Sequence, residues 1–229
     1  MPTAPLSDVE LVVLDIAGTT IEEHNAVYVA LEQCVVEVGA TPTPQDMQQY
    51  MGSDKTEAIT ALLTARSGAA PDAAEVAAVY TDFTARLRAS YAARPPYPLK
   101  GVEKAIAQLR EAGVKIVLTT GFSREVTDAL LAQVGWTEGV VDAVICAEEV
   151  GAGRPAPYMV FEAMRRTGTR DVRRVLVAGD TTNDLQSGTN AGAGAVVGVL
   201  TGAMDATALG RVRHTHLLAG VAEIPALVL

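Results

Sequence analysis

The sequence predicts an α/β protein: a parallel sheet wound on both faces, with a small helical cap inserted after its first strand. Three observations carry that expectation. Leu11-Val12-Val13-Leu14 is an unbroken apolar run that stops at Asp15, followed by Ile16-Ala17-Gly18-Thr19-Thr20. Residues 21–98 then lose strand character and read as helices. From Gly101 onward, strand and helix patterns alternate regularly.

The first run reads as a buried parallel strand. Open α/β sheets bind ligands at the carboxyl ends of their strands. Asp15 falls there, and Gly18 lets the chain turn sharply beside it. A carboxylate in that place can bind a metal or attack an electrophile. It can equally cap the next helix, and this window alone leaves both readings open.

In the insert, His24–Val38, Pro44–Met51, Asp54–Arg66 and Asp72–Ala93 carry Ala, Leu, Glu and Gln at helical spacing. Ser53 is expected to cap the third helix, and Pro71 to open the fourth. Arg94-Pro95-Pro96-Tyr97-Pro98 then ends the helical run and forms a stiff return linker. Residues 1–20 and 99–229 therefore read as the core, and 21–98 as the cap.

The core continues with a helix over Val102–Ala112, stopped by Gly113, and a strand over Val114–Thr119. A helix over Ser123–Val134 and a strand over Val141–Cys146 follow. Next come a helix over Pro155–Thr167, a strand over Arg174–Ala178, a helix over Asn183–Ala191 and a strand over Ala195–Leu200. Ala206–Leu229 reads as a short helix, an edge strand and a closing apolar stretch. The architecture is a doubly wound, Rossmann-like parallel sheet.

The chain has 229 residues and a formal net charge of −9, ample for a real core and unsuited to general nucleic-acid binding. A phosphorylated ligand stays open, since it needs only local positive charge or a metal. Cys34 and Cys146 read as buried free thiols of a reducing compartment. Met1 to Glu10 lacks a signal-peptide pattern, and no apolar run approaches the roughly 20 residues a bilayer span needs. The expectation is a cytoplasmic protein with no membrane partner.

Four polar places converge at the carboxyl edge: Asp15, Thr119-Thr120-Gly121, Gly153-Arg154-Pro155 and Gly179-Asp180-Thr181-Thr182-Asn183-Asp184. Acidic strand ends side by side are costly unless a cation lies between them. Asp15, Asp180 and Asp184 are hard oxygen donors suited to Mg²⁺. Thr120 and the Gly121 amide are placed at a helix start, where an anion is welcome. Arg154 adds a fixed positive charge with forked donors.

These motifs, in this order, resemble the four motifs of the haloacid dehalogenase superfamily across the whole core. The resemblance implies that Asp15 is a nucleophile forming an aspartyl-phosphate. It implies Mg²⁺ between Asp15, the Ala17 carbonyl and Asp180, with Asp184 supporting the metal. Thr120 and Arg154 would hold the transferred phosphoryl group, beside Gly18, Thr19 and Gly121.

Phosphatases of the superfamily usually carry a second Asp two residues after the nucleophile, which protonates the leaving oxygen. Here that place is Ala17. Such proton transfer is typically worth about 10²–10⁴-fold, so Ala17 speaks against a plain phosphomonoesterase. Within the superfamily the chain is most similar to the phosphonoacetaldehyde hydrolase family, which has Ala-Gly-Thr-Thr there. That family's Met-Gly-x-x-Lys matches Met51-Gly52-Ser53-Asp54-Lys55, its Thr-Thr-Gly-aromatic matches Thr119-Thr120-Gly121-Phe122, and its Arg matches Arg154.

The implied chemistry is coherent. Breaking a C–P bond expels a carbanion, and an aldehyde condensed with the Lys55 amine becomes an iminium that accepts the electrons. Lys55 on its own reads as a solvated lysine of a first helical turn; joined to Ala17 and Met51-Gly52 it reads as the amine. The chain departs from the family at Ala58, where a His is usual, at Phe122, which lacks a phenol hydroxyl, and at Asn25, where a Cys is usual. His24 is near enough in sequence to replace a base, or is a structural linker residue. His214 and His216 read as part of a solvated basic face. The expectation is an Mg²⁺-dependent hydrolase of a small carbonyl phosphonate. The alternatives are a phosphomonoesterase of phosphoglycolate type and a non-catalytic phosphate binder. A homodimer through the cap is implied by the resemblance alone.

Overall fold

The structure is a computed structural model that describes residue 6 and residues 8–229. The sequence reading of residues 1–10 therefore falls largely outside the described residues. In chain order the elements are β1 (Leu11–Asp15), β2 (Ile21–Glu22), α1 (Ala26–Glu37), α2 (Pro44–Gln49), α3 (Lys55–Ser67), α4 (Ala73–Ala93) and β3 (Tyr97–Pro98). Then come α5 (Val102–Glu111), β4 (Lys115–Thr120), α6 (Arg124–Gln133), β5 (Ala143–Cys146), α7 (Tyr158–Thr167), β6 (Val175–Gly179) and α8 (Thr182–Ala191). The chain closes with β7 (Ala195–Val199), α9 (Ala206–Leu209), β8 (His216–Leu218) and α10 (Ile224–Val228).

Six strands form one sheet in the order β5-β4-β1-β6-β7-β8. Every neighbouring pair in it is parallel. The chain leaves β1 for β4 on one side and β6 on the other, so the strand order reverses at β1, where such sheets open a ligand crevice. Asp15 lies opposite Thr119, which aligns the carboxyl ends of β1 and β4.

β1 shows why the sheet is covered on both faces. Val12 and Leu14 join one apolar cluster, with α5 and the insert. Leu11 and Val13 join another, with Met159, Val160 and Ala163 of α7. Alternate side chains point to opposite faces, so both sets are buried and the strand reads as continuously apolar. Leu14 is fully buried. Leu14→Ala would cost about 2–5 kcal/mol.

The four helices α1–α4 lie in sequence between β2 and β3, which pair antiparallel with each other. Ile59, Leu63, Phe83 and Leu87 fill the space between these helices, in the same apolar cluster as Leu14.

Helix starts depart from expectation at several places. α1 begins at Ala26 because His24 and Asn25 take left-handed φ values of 62° and 60°. Asp54, and not Ser53, caps α3, accepting from Glu57 N. The Ser53 hydroxyl donates instead to the Tyr50 carbonyl at 2.7 Å. Pro71 stands one residue before Asp72, the cap of α4. The helix expected from Pro155 starts at Tyr158. The expected edge strand is β8, which His216 opens; His214 and His216 are half-buried rather than on an open solvated face. Cys34 and Cys146 are buried free thiols. No helix among the described residues is long and apolar enough to cross a membrane.

Candidate active site

The site is built where β1 ends. Asp15 is the last residue of β1 and is 7 % exposed. Gly18 follows with φ 79°, and a Cβ there would stand 2.7 Å from Asp180 Oδ2. Both conditions require glycine. The Thr19 hydroxyl donates to Asp180 Oδ1 at 2.8 Å. The loop after β7 completes the frame: Ala203 N donates to Asp180 Oδ2 at 2.7 Å, and the Thr201 hydroxyl donates to the Gly18 carbonyl at 2.7 Å. Sequence reasoning missed Thr201 and Ala203, which carry no motif.

Arg154 is the hub. Its Nη1 donates to Asp15 Oδ1 at 2.6 Å, and its Nη2 donates to the Thr119 hydroxyl at 2.6 Å and carbonyl at 2.9 Å. Asp184 Oδ2 accepts from Thr181 N at 3.0 Å in the capping box that starts α8. Asp184 Oδ1 lies 2.9 Å from Arg154 Nη1. That approach is out of line for a hydrogen bond, so among the described residues this buried oxygen has no hydrogen-bond partner.

Asp15, Asp180 and Asp184 bring one carboxylate oxygen each to within 4.8 Å of one another, all three buried. Burial pushes the Asp15 carboxyl up, Arg154 pulls it down, and Asp184 and Asp180 push it up again. Asp180 is raised by burial and then by Asp184. One guanidinium does not neutralise three buried carboxylates. Together with the unpartnered Asp184 oxygen, this all-oxygen donor set fits a hard divalent cation.

Lys55 opens α3 and is 2 % exposed, not solvated. Its Nζ donates to the Ser53 carbonyl at 2.7 Å and lies 6.0 Å from the Tyr28 ring centroid and 5.8 Å from that of Phe122. Burial lowers its pKa from 10.5 to about 8, while Asp54 and Asp15 oppose the shift.

The loop that carries Lys55 sits hard against the core. A Cβ on Gly121 would stand 2.2 Å from the Ser53 carbonyl oxygen, and one on Gly52 would stand 2.5 Å from the Thr181 hydroxyl. Thr120 and Gly121 precede the Ser123 cap of α6 and are not at the helix start. The Thr120 hydroxyl accepts from Phe122 N at 3.1 Å; among the described residues no hydrogen bond joins it to the carboxylates.

A cleft of about 410 Å³ opens beside Asp180, lined by Ala17, Gly18, Met51, Tyr28 and residues 22–25. Lys55 and Arg154 are outside its lining, buried behind the docked loop. His24 reaches across the chain crossing, with its Nε2 3.2 Å from the Pro95 carbonyl, which makes it a linker residue. Asn25 is exposed, and Ala58 is fully buried in the insert.

Glu23 was not singled out by sequence. It is 4 % exposed, and its Oε2 accepts from Val27 N at 3.0 Å in the first turn of α1. Burial raises its pKa to about 7, against the Val27 hydrogen bond. A second acid shortly after a motif that lacks one at Ala17 was the available signal.

The doubly wound sheet thus brings a buried carboxylate trio and one arginine together at its carboxyl edge. The family model for haloacid dehalogenase-like hydrolases matches residues 9–192, and this chain belongs to that family. The phosphonoacetaldehyde hydrolase of Bacillus cereus is 30 % identical over 211 residues, covering 86 % of this chain and 78 % of that protein. Among solved structures, a phosphonoacetaldehyde hydrolase-like protein from Oleispira antarctica superimposes with a TM-score of 0.82 at 20 % identity, covering 99 % of this chain and 95 % of that one. A candidate phosphoglycolate phosphatase from Lactobacillus delbrueckii subsp. bulgaricus gives 0.75 at 20 % identity, covering 96 % and 99 %. Within its family the chain is of the phosphonoacetaldehyde hydrolase-like kind.

Proposed function

We propose that the protein is an Mg²⁺-dependent phosphonatase that cleaves the C–P bond of phosphonoacetaldehyde or a related carbonyl phosphonate. The burial of Lys55 behind the docked loop, with its pKa near 8, carries this reading. An amine held that way is partly neutral at working pH and nucleophilic. The likeness to the Bacillus cereus enzyme supports the same substrate class.

In this reading the Lys55 nitrogen adds to the aldehyde carbon, and loss of water leaves an iminium. An Asp15 oxygen attacks phosphorus. The C–P electron pair moves into the iminium, giving an enamine and an aspartyl-phosphate. Water hydrolyses the acyl phosphate to phosphate and free Asp15. Protonation of the enamine carbon and hydrolysis of the imine release acetaldehyde and the amine. Arg154, Thr120 and the Gly121 amide hold the phosphoryl oxygens, while Gly18, Thr19, Met51 and Phe122 shape the pocket. Asp15, Asp180, the Ala17 carbonyl and Asp184 would hold Mg²⁺, which would draw charge off the phosphoryl oxygens when bound. Residues 21–98 act as a cap that excludes water.

The ester reading has one observation in its favour. Glu23 lines the cleft beside Ala17 and holds a proton to about pH 7, so it could protonate a leaving alkoxide. Replacing Lys55 by Ala separates the two. Loss of phosphate release from phosphonoacetaldehyde supports the C–P reading. Unchanged hydrolysis of phosphoglycolate, with no phosphonate turnover in either protein, contradicts it.

A further inference from the structure

Lys55 stays buried only while the loop before it stays on the core. We propose that Asn183 is the latch of the helical insert: from the first turn of α8 it holds the end of α2 and the following loop on the core, and so keeps the Lys55 amine buried. The inference deepens the C–P reading, and rests on it for its consequence in turnover but not for its own test.

The Asn183 side chain, 8 % exposed, donates from Nδ2 to the Met51 carbonyl at 2.6 Å and to the Gln49 carbonyl at 3.2 Å. Gln49 is the last residue of α2. Carbonyls at a helix C-terminus have no partner within the helix. The core supplies those partners from a single amide. Among the described residues a further polar contact from the core to this loop is longer, Arg154 Nη1 to the Gly52 carbonyl at 3.4 Å. Gly52 and Gly121 provide room for the close approach but no attraction. Among the described residues Asn183 thus makes the shortest hydrogen bond from the core to this loop, while Gln133 Nε2 to the Tyr91 carbonyl and Arg88 to Glu125 tie α4 to α6 farther away.

Lys55 lies four residues beyond Met51, and its own hydrogen bond goes to Ser53 within the same loop. If the loop lifts from the core, Nζ leaves the ring of Phe122, a core residue, and meets water. The groups that set its charge in the docked state are burial, Asp54, Asp15, Arg154 and Glu23. Losing the burial favours the ammonium, which does not attack a carbonyl. Asn183 is a positioning residue, acting on the amine through the loop.

The test is competitive labelling of the full chain with acetic anhydride, reading acetylation of Lys55 by mass spectrometry from pH 6 to 11. Wild type is expected to label slowly at Lys55, with a midpoint near 8. At the high-pH end, where the amine is neutral in both proteins, Asn183→Ala is expected to label about tenfold faster or more, the worth of two lost hydrogen bonds. Its midpoint should move toward 10.5. Asn183→Asp, of the same size but without the amide donors, should do the same and serves if the alanine variant does not fold. Asn190→Ala, which removes a hydrogen bond to the Pro155 carbonyl farther along α8, should leave Lys55 labelling unchanged. Wild-type rate and midpoint in a folded Asn183 variant overturn the latch. A wild type that labels as described but does not turn over phosphonoacetaldehyde removes the C–P reading and leaves the latch standing.

Discussion

Two arginine–carboxylate groups in this molecule contain the same chemistry and behave oppositely. On the surface of α7, Arg165 and Arg166 both donate to Glu162 and hold its carboxyl down at about 2. At the sheet edge, Arg154 donates to Asp15, and Asp15 is nevertheless pushed up, because burial outweighs the guanidinium and Asp184 and Asp180 add to it. The difference is water. At the surface, ionisation costs little and any donor favours it. In the interior the desolvation of each charge dominates, so one arginine cannot satisfy three carboxylates. The buried group is short of positive charge, a deficit that a divalent cation would fill. The surface group is already complete.

The largest expected effect comes from breaking the buried hub. Arg154→Lys keeps the charge but loses the fork that joins Asp15 to Thr119, and should lower kcat on the order of 10²-fold or more. Phosphate release under saturating substrate measures it. A variant within twofold of wild type would mean that the fork does not act on the reacting group.

The next effect is on stability. Lys55 is neutral in the folded chain above about pH 8, whereas an exposed lysine stays charged to 10.5. Between those values the unfolded chain binds more protons, so wild-type stability rises with pH. Below about 8 the buried ammonium costs free energy. Lys55→Met should therefore be more stable than wild type at pH 7, by about 1–3 kcal/mol. That gain should fade as pH rises from 8 to 10.5, and urea unfolding at pH 7 and pH 10 checks both arms. Equal stability at both values would place the amine in water.

The smallest effect sharpens the comparison from the other side. Glu162 is ionised in the folded chain down to about pH 2, below its usual 4.5, so its contribution is present above 4.5 and fades as pH falls toward 2. Because the group is surface-placed, Glu162→Gln should change turnover less than about twofold. A larger loss would tie α7 to the site.

What the sequence made legible follows from range. The strand β1, the alternation after Gly101 and the four polar places are local patterns; the structure has these strands in this order, while the helix expected from Pro155 starts at Tyr158 and Thr120 and Gly121 fall before the start of α6. Asp15, Asp180, Asp184 and Arg154 came together because parallel strands bring their carboxyl ends to one edge. β2 and β3, at two residues each, are too short to show any period. Asp54 displaced Ser53 as a cap because both are good capping residues one position apart. The Asn183 bonds to Met51 and Gln49 span more than 130 residues, and nothing local announces them. Glu23 stands in none of the motifs, and only the fold shows it buried.

The central claim is that the Lys55 amine forms an imine with the substrate. The direct measurement is to mix protein, Mg²⁺ and phosphonoacetaldehyde, reduce with borohydride, and map the adduct by mass spectrometry. A stoichiometric two-carbon adduct on Lys55, with irreversible loss of activity, is the predicted result. Full activity and an unmodified Lys55 after reduction would contradict it.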